Sequence, residues 1–262
     1  MNNEEILKKV MDELGKKTEG QPEKIIATAP GCNLTEFVGT SVGDTIGLVI
    51  ANVDEIIHEK LGVDAQYRSL GIISSRVGAG PQAMAADEAV KSSNAEVVKF
   101  ELARDMEGGG GHGILIVFGS RDVSDVRRAV EIALEVLPGY MGDCYLNDAG
   151  HVEAEYTARA SSVLANYLGA EEGKAWGFLC GCPAGVGIVA ADAAAKAANV
   201  KIVQASSPQN GTAFSNEYMV MMVGDSGAVR QAVIAGRDIA LKLVESLNGQ
   251  KPTASVPSYI GN

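Results

Sequence analysis

Residues 4–14, EEILKKVMDEL, place Ile6, Leu7, Val10, Met11 and Leu14 on one helical stripe against Glu, Lys and Asp on the other side, which predicts a short amphipathic helix. The next stretch, GKKTEGQPEK and on to about residue 30, has Gly, Pro and charge but no period, and reads as a flexible linker. From there apolar runs alternate with helical stripes. TIGLVIANV (45–53) predicts a strand, VDEIIHEKLG a short helix, YRSLGIISS (67–75) a strand and the Ala-rich QAMAADEAVKSS (82–93) a helix. EVVKFEL (96–102) and GILIVFG (113–119) predict a strand pair. VSDVRRAVEIALEVL (123–137) carries Val126, Ala129, Val130, Ala133 and Leu137 on one face, an amphipathic helix.

The order then starts again. EAEYTARA, SSVLANYLG, AWGFLCG, VGIVAADAAAKAA, VKIVQAS and EYMVMMVG repeat the series, closed by a helix from about Gly227 to Leu247. The repeat is visible in the residues themselves. AADEAVKSSNAEVVK (85–99) returns as AADAAAKAANVKIVQ (190–204), with seven identical positions, and Gly119 and Gly224 keep the same 105-residue offset. A duplicated unit implies pseudo-twofold symmetry, and such blocks tend to tile or close into rings. We therefore expect four segments: an N-terminal helix and linker (1–32), a first domain (33–137), a second domain (138–248) and a tail (249–262) too short for further structure. Strands interleaved with helices, one adjacent strand pair in each copy, give an α/β or α+β fold, a mixed, mostly antiparallel sheet with helices on one face.

Composition narrows the function. The 262 residues carry a net charge of -11, which argues against nucleic-acid phosphates or an anionic membrane surface as partners. The longest apolar stretches fall short of a bilayer span and the N-terminus has no signal-type core, so a cytosolic protein is expected. Cys32, Cys144, Cys180 and Cys182 do not make a disulfide scaffold. Cys180-Gly-Cys182 lacks the paired spacing of a closed metal site and reads as buried small residues. No metal ligands and no cofactor are assigned on this basis, although a metal held by Cys180 and Cys182 stays open as a reading that elemental analysis would test.

Gly-rich EGGGGHG (107–113) leads into a strand, not a helix N-terminus, and no GK[ST] follows, so a phosphate loop lacks its physical basis. At the matched place stands SSPQNGTAFSN (206–216), also small and polar. His58, His112 and His151 are dispersed, with no metal-type spacing, no nucleophile elbow and no carboxylate pair, so no catalytic residue is assigned. Lys91 and Lys196 lie on small-residue helices, each followed by Asn94 or Asn199. They fit either a solvated face with an Asn C-cap or a lateral contact between identical tiles.

AADxAxKxxNV, a strand, a polar loop, a strand and a helix start of the type GDSGAVRQAV (224–233), less cleanly GSRDVSDVRRAV (119–130), resemble the bacterial microcompartment shell domain. Two copies, together with LTEFVGTSVGDTIGLVIANVD (34–54), AGPQAMAADEAVK (79–91), GHVEAEYTARAS (150–161) and GTAFSNEYMVMMVGDSGAVRQAV (211–233), are similar to the tandem-domain shell proteins of propanediol and ethanol utilisation. The likeness covers Leu34 to Leu247. It implies circularly permuted domains, with TIGLVIANV and EAEYTARA as the displaced strands, and a homotrimer shaped as a flat pseudohexamer that packs beside other shell proteins.

On the same resemblance, Lys91, Asn94, Arg159, Lys196 and Asn199 are tile-edge contacts, with Asn52 standing where an edge arginine is expected in the first domain. Arg104, Asp105, Met106, Glu107, Gly108, Gly109, Gly110, Gly111 and His112 line a pore with Ser206, Ser207, Pro208, Gln209, Asn210, Gly211 and Thr212. Asp44 and His151 are candidates for a channel within each subunit. Residues 1–20 are expected to join shell to encapsulated enzymes, and small polar metabolites to cross the pores. The function implied is a structural, non-catalytic tile. The alternative is a small-ligand-binding protein or enzyme on a duplicated α/β domain.

Overall fold

The computed structural model of the chain describes residues 32, 34–76, 78–102, 113–141, 144–207 and 216–254. The expected helix at 4–14, its linker and the greater part of both loops assigned to a pore lie outside these residues.

The first half runs β1 (Phe37–Ser41), β2 (Thr45–Ile50), α1 (Glu55–Leu61), β3 (Ser69–Ser75), α2 (Gly80–Lys91), β4 (Glu96–Glu101), β5 (Ile114–Ser120) and α3 (Val123–Tyr140). The second runs β6 (Cys144–Asn147), β7 (Gly150–Thr157), α4 (Ser162–Leu168), β8 (Ala175–Cys182), α5 (Ala184–Ala197), β9 (Lys201–Ser206), β10 (Tyr218–Gly224) and α6 (Ser226–Asn248), then β11 (Thr253–Ala254). The sheets have the orders β1-β2-β3-β5-β4 and β11-β6-β7-β8-β10-β9, so the halves share one topology, and β11 is an addition at the edge of the second. Every pairing among the described strands is antiparallel.

Alternation along the strands divides each sheet into two faces. In β8, Ala175 and Leu179 join Val220, Met222, Val229 and Val233 beneath α6, whereas Trp176, Phe178 and Cys180 join Met219 and Met221 on the other face. The helices come very close to the sheets. A Cβ on Gly71 would lie 2.8 Å from the Val126 carbonyl oxygen in α3, and one on Gly177 2.6 Å from Val233 Cγ2 in α6. Only glycine allows that approach.

The short helices are the clearest mark of duplication. Asp54 caps α1 by accepting from the Ile56 amide at 3.0 Å, Ser161 caps α4 by accepting from Val163 at 3.2 Å, and both helices end on a left-handed glycine, Gly62 or Gly169, each at φ 68°. These helices lie against the sheet face opposite α3 and α6, an addition to the one-face layering expected from the pattern.

Three features differ from the sequence reading. The strands β1 and β6 escape it because FVGTS and CYLN are short and only half-buried. The tail is not structureless throughout, since Thr253 and Ala254 pair with Leu146 and Tyr145 of β6. Helix α3 continues through Pro138 to Tyr140. Proline cannot donate to the carbonyl one turn back, and Ser41 Oγ donates to that Leu134 oxygen at 3.0 Å instead.

Candidate functional site

The two halves meet along a seam. From the first half α2 brings Ala83 and Met84, which share a cluster with Leu164, Leu168, Trp176, Phe178, Met219 and Met221 of the second. Asp87 is fully buried there. One of its oxygens accepts from the Ser161 amide at 2.8 Å and the other faces Lys91 Nζ at 2.5 Å. Gly80 starts α2 so close to the second sheet that a Cβ would lie 2.9 Å from Glu155 Cγ. Phe100 stacks on Tyr167 with centroids 5.2 Å apart, and Tyr167 Oη donates to the Val97 carbonyl.

The repeated residues carry the same surface a second time, uncovered. At the 105-residue offset Ala83, Met84 and Asp87 correspond to Ile188, Val189 and Asp192 of α5. Ile188 is 53 % exposed and Val189 43 %, and the Asp192 side chain is 61 % exposed. A Cβ on Gly185, the counterpart of Gly80, meets nothing within 4 Å. The other side of the seam repeats likewise. Counting from the capping residues, Val163 and Leu164 of α4 correspond to Ile56 and Ile57 of α1. The first pair is buried, while Ile56 and Ile57 are exposed at 50 % and 42 %. Large apolar side chains grouped on an otherwise polar surface mark an interaction face.

Equivalent residues thus have different surroundings. Lys91 holds Asp87 and Glu88, with its side chain 27 % exposed, and Lys196, 75 % exposed, pairs with Asp192 at 2.6 Å. Burial draws the Lys91 pKa down, but hydrogen bonds to Asp87 and Glu88 outweigh it and the net direction is upward. Asn94 and Asn199 do not cap their helices in a left-handed turn. The C-cap positions are Ser92 and Ala198, with φ of −120° and −156°, and Asp44 is the only described non-glycine residue at positive φ. Asn94 instead reaches Asp125 Oδ1 at 3.5 Å. Arg159 and Asn52 are both exposed. Of the residues assigned to a pore, Ser206 ends β9 and Ser207 follows it. Arg104 to His112 and Pro208 to Thr212 fall outside the described residues.

Asp44 and His151 hold matched places ahead of β2 and within β7, yet the structure separates their environments. Asp44 is exposed in the β1–β2 turn, while His151 is buried in a polar cluster at the end of the second sheet. His151 Nε2 is 3.0 Å from Glu217 Oε2 and 3.8 Å from Cys180 Sγ, and Cys180 Sγ is 3.6 Å from Glu217 Oε2. Glu153, beside them, accepts from the Gly80 amide at 3.4 Å and lies 3.9 Å from Cys144 Sγ, where the N-terminus of α2 favours an anion.

Burial pulls the His151 pKa down, but hydrogen bonds to Cys182 and Glu217 and the charges of Glu153 and Glu217 prevail and raise it to about 10. Burial raises Glu153 to about 7 against the pull of His151, and burial with Glu217 and Glu153 nearby pushes the Cys180 thiol up. Sequence spacing could not reveal this cluster, because its members meet across 29 and 37 residues of chain. The adjoining cavity between Ala79, Phe100, Trp176 and Met221 holds about 20 Å³, room for one water-sized guest.

A duplicated antiparallel α+β unit, with one covered seam and one uncovered copy of it, defines a self-assembling tandem-domain protein. The chain belongs to the BMC-domain family, whose model matches residues 69–147 and 175–252. It is 53 % identical over 244 residues to the bacterial microcompartment shell protein PduB of Salmonella typhimurium, covering 92 % of this chain and 90 % of that one. It is 51 % identical over 226 residues to PduB of Limosilactobacillus reuteri, covering 86 % and 94 %. Among solved structures, a trimeric microcompartment shell protein PduB aligns with TM-score 0.82 at 51 % identity over 86 % of this chain and all of that one. EtuB from Clostridium kluyveri aligns with TM-score 0.82 at 53 % identity, over 87 % and 100 %.

Proposed function

We propose that this protein is a structural tile of a bacterial microcompartment shell, of the propanediol- or ethanol-utilisation type, working as a homotrimer in which six domains form a pseudohexagon. The observation that carries this reading is the uncovered copy of the seam. Exposed Ile188, Val189, Asp192 and Gly185 in α5 repeat the buried face of α2, and exposed Ile56 and Ile57 in α1 repeat the buried face of α4 that receives it. Docking α5 of one copy on α1 of the next reproduces between chains the contact made within each chain. A heterologous contact of this kind closes into a ring when its rotation is one third of a turn, as a trimer requires.

The domains divide near residue 137, in the last turn of α3. Lys196, Asn199, Arg159, Lys91 and Asn94 serve the tile rim, the loops around 104–112 and 206–212 line a pore for small polar metabolites, and residues 1–20 join the shell to enzyme cargo. The role is steric and non-catalytic, and the small apolar cavity at the seam supports no metabolite pocket there. Sedimentation of the full chain should give a trimer, and negative-stain images should give flat hexagonal particles or sheets. A monomer at micromolar concentration would overturn the reading.

The duplicated aspartates offer a paired test. Asp87→Ala should destabilise the chain by about 2 kcal/mol, because it strips a buried amide of its charged acceptor, with Lys91 relaxing toward Glu88 and solvent. Asp192→Ala should leave the melting of the isolated chain unchanged and weaken only the trimer. Chemical denaturation and sedimentation of both variants separate the two effects.

A further inference from the structure

We propose that His151, Cys180 and Glu217 form a buried site for a zinc-type divalent cation, a role that stands apart from shell assembly. The three residues come from β7, β8 and the segment leading into β10, all are buried, and their ligand atoms lie within 4.8 Å of one another. The sides of the triangle are 3.0 Å from His151 Nε2 to Glu217 Oε2, 3.6 Å from Cys180 Sγ to Glu217 Oε2 and 3.8 Å from Cys180 Sγ to His151 Nε2. Tetrahedral zinc, with bonds of about 2.0–2.3 Å to nitrogen, oxygen and sulfur, spaces its ligand atoms roughly 3.3–3.6 Å apart. Shifts of a few tenths of an ångström therefore suffice to seat the ion.

The donor set selects the metal class. Imidazole and thiolate favour zinc and its neighbours, while an all-oxygen set would favour magnesium or calcium. Cys182 stands across from His151 in the β7–β8 register, but its sulfur is outside the set of three mutually close ligand atoms, which leaves the fourth position to a water. Glu153, fixed by the Gly80 amide of α2, lies behind the ligands and ties the site to the first half of the chain. Charge balances as well. Coordination takes one proton from the Cys180 thiol and one from the His151 imidazolium; both pass to solvent, and the dication, the Cys180 thiolate and the Glu217 carboxylate together sum to zero charge. The ion would then tie β7 and β8 to the segment leading into β10.

Cobalt reports on such a site directly. The full-length trimer carrying Cys32→Ala, which removes an exposed thiol, is stripped with a chelator and titrated with Co²⁺. One equivalent per chain should produce thiolate-to-cobalt absorption with tetrahedral visible bands, and Zn²⁺ should bleach it. Cys180→Ala should lose the thiolate band, and the near-isosteric Glu217→Gln should weaken binding at least about tenfold, both in trimers of unchanged circular dichroism. If Cys180→Ala fails to fold, Glu217→Gln decides alone. The proposal falls if folded trimer gives no band, if Glu217→Gln binds as tightly as its parent, or if the band survives Cys180→Ala and disappears in Cys182→Ala. None of these outcomes touches the trimer, so the shell role stands or falls separately.

Discussion

Val189→Asp converts the trimer to monomers while leaving the fold of each chain intact. In the isolated chain the side chain is 43 % exposed, and a surface substitution of that kind changes stability by no more than about 0.5 kcal/mol. In the proposed assembly, position 189 would occupy the place that Met84, 1 % exposed, holds within the chain, and an unpaired carboxylate there would cost about 3 kcal/mol or more at each interface. That is roughly a 150-fold loss of affinity per contact, and a closed ring loses it at every junction. Sedimentation equilibrium should show monomer where the parent is trimeric, with the thermal unfolding of the monomer unaltered. Gly185→Val should do the same by steric means, because the space above Gly185 is open only until another copy occupies it as Glu155 and Phe178 occupy the space above Gly80. A Val189→Asp protein that remains trimeric would place the interface elsewhere.

The duplication and the long elements were legible in the residues, because apolar runs such as ILIVFG and the stripe from Val126 to Leu137 carry their own period. The elements that stayed hidden depend on neighbours. Strand β6 exists because β7 and β11 pair with its two sides, and the last turn of α3 survives Pro138 because Ser41, 93 residues away, takes up the released carbonyl.

The site shows the same division more sharply. Asp87 and Asp192 are identical in type, spacing and helix position, yet one is fully buried and the other lies in solvent. The difference comes from what lies against each helix, which no local pattern encodes. Likewise Cys180-Gly-Cys182 reads as an ordinary buried pair until β7 and the start of β10 bring His151 and Glu217 beside it.

Trp176→Ala should lower the stability of the chain by about 3–5 kcal/mol, the range for removing a fully buried aromatic residue, and should do so for both halves at once. Trp176 is completely buried, donates from Nε1 to the Leu168 carbonyl at 3.0 Å and stacks near Phe178 with centroids 6.0 Å apart. Its cluster draws Ala83 and Met84 from the first half and Leu164, Met219 and Met221 from the second, so the cavity left behind opens the seam itself rather than the interior of one domain. Leu168 would also keep a buried carbonyl without its donor, which adds to the cost. Urea unfolding followed by far-ultraviolet circular dichroism should remain one transition with a reduced midpoint, and since Trp176 is the single tryptophan, the fluorescence of the parent should change in that same transition. Two separated transitions in the parent would mean that the halves fold independently. The seam, and with it the template for the contact between chains, would then contribute little to holding either half in place.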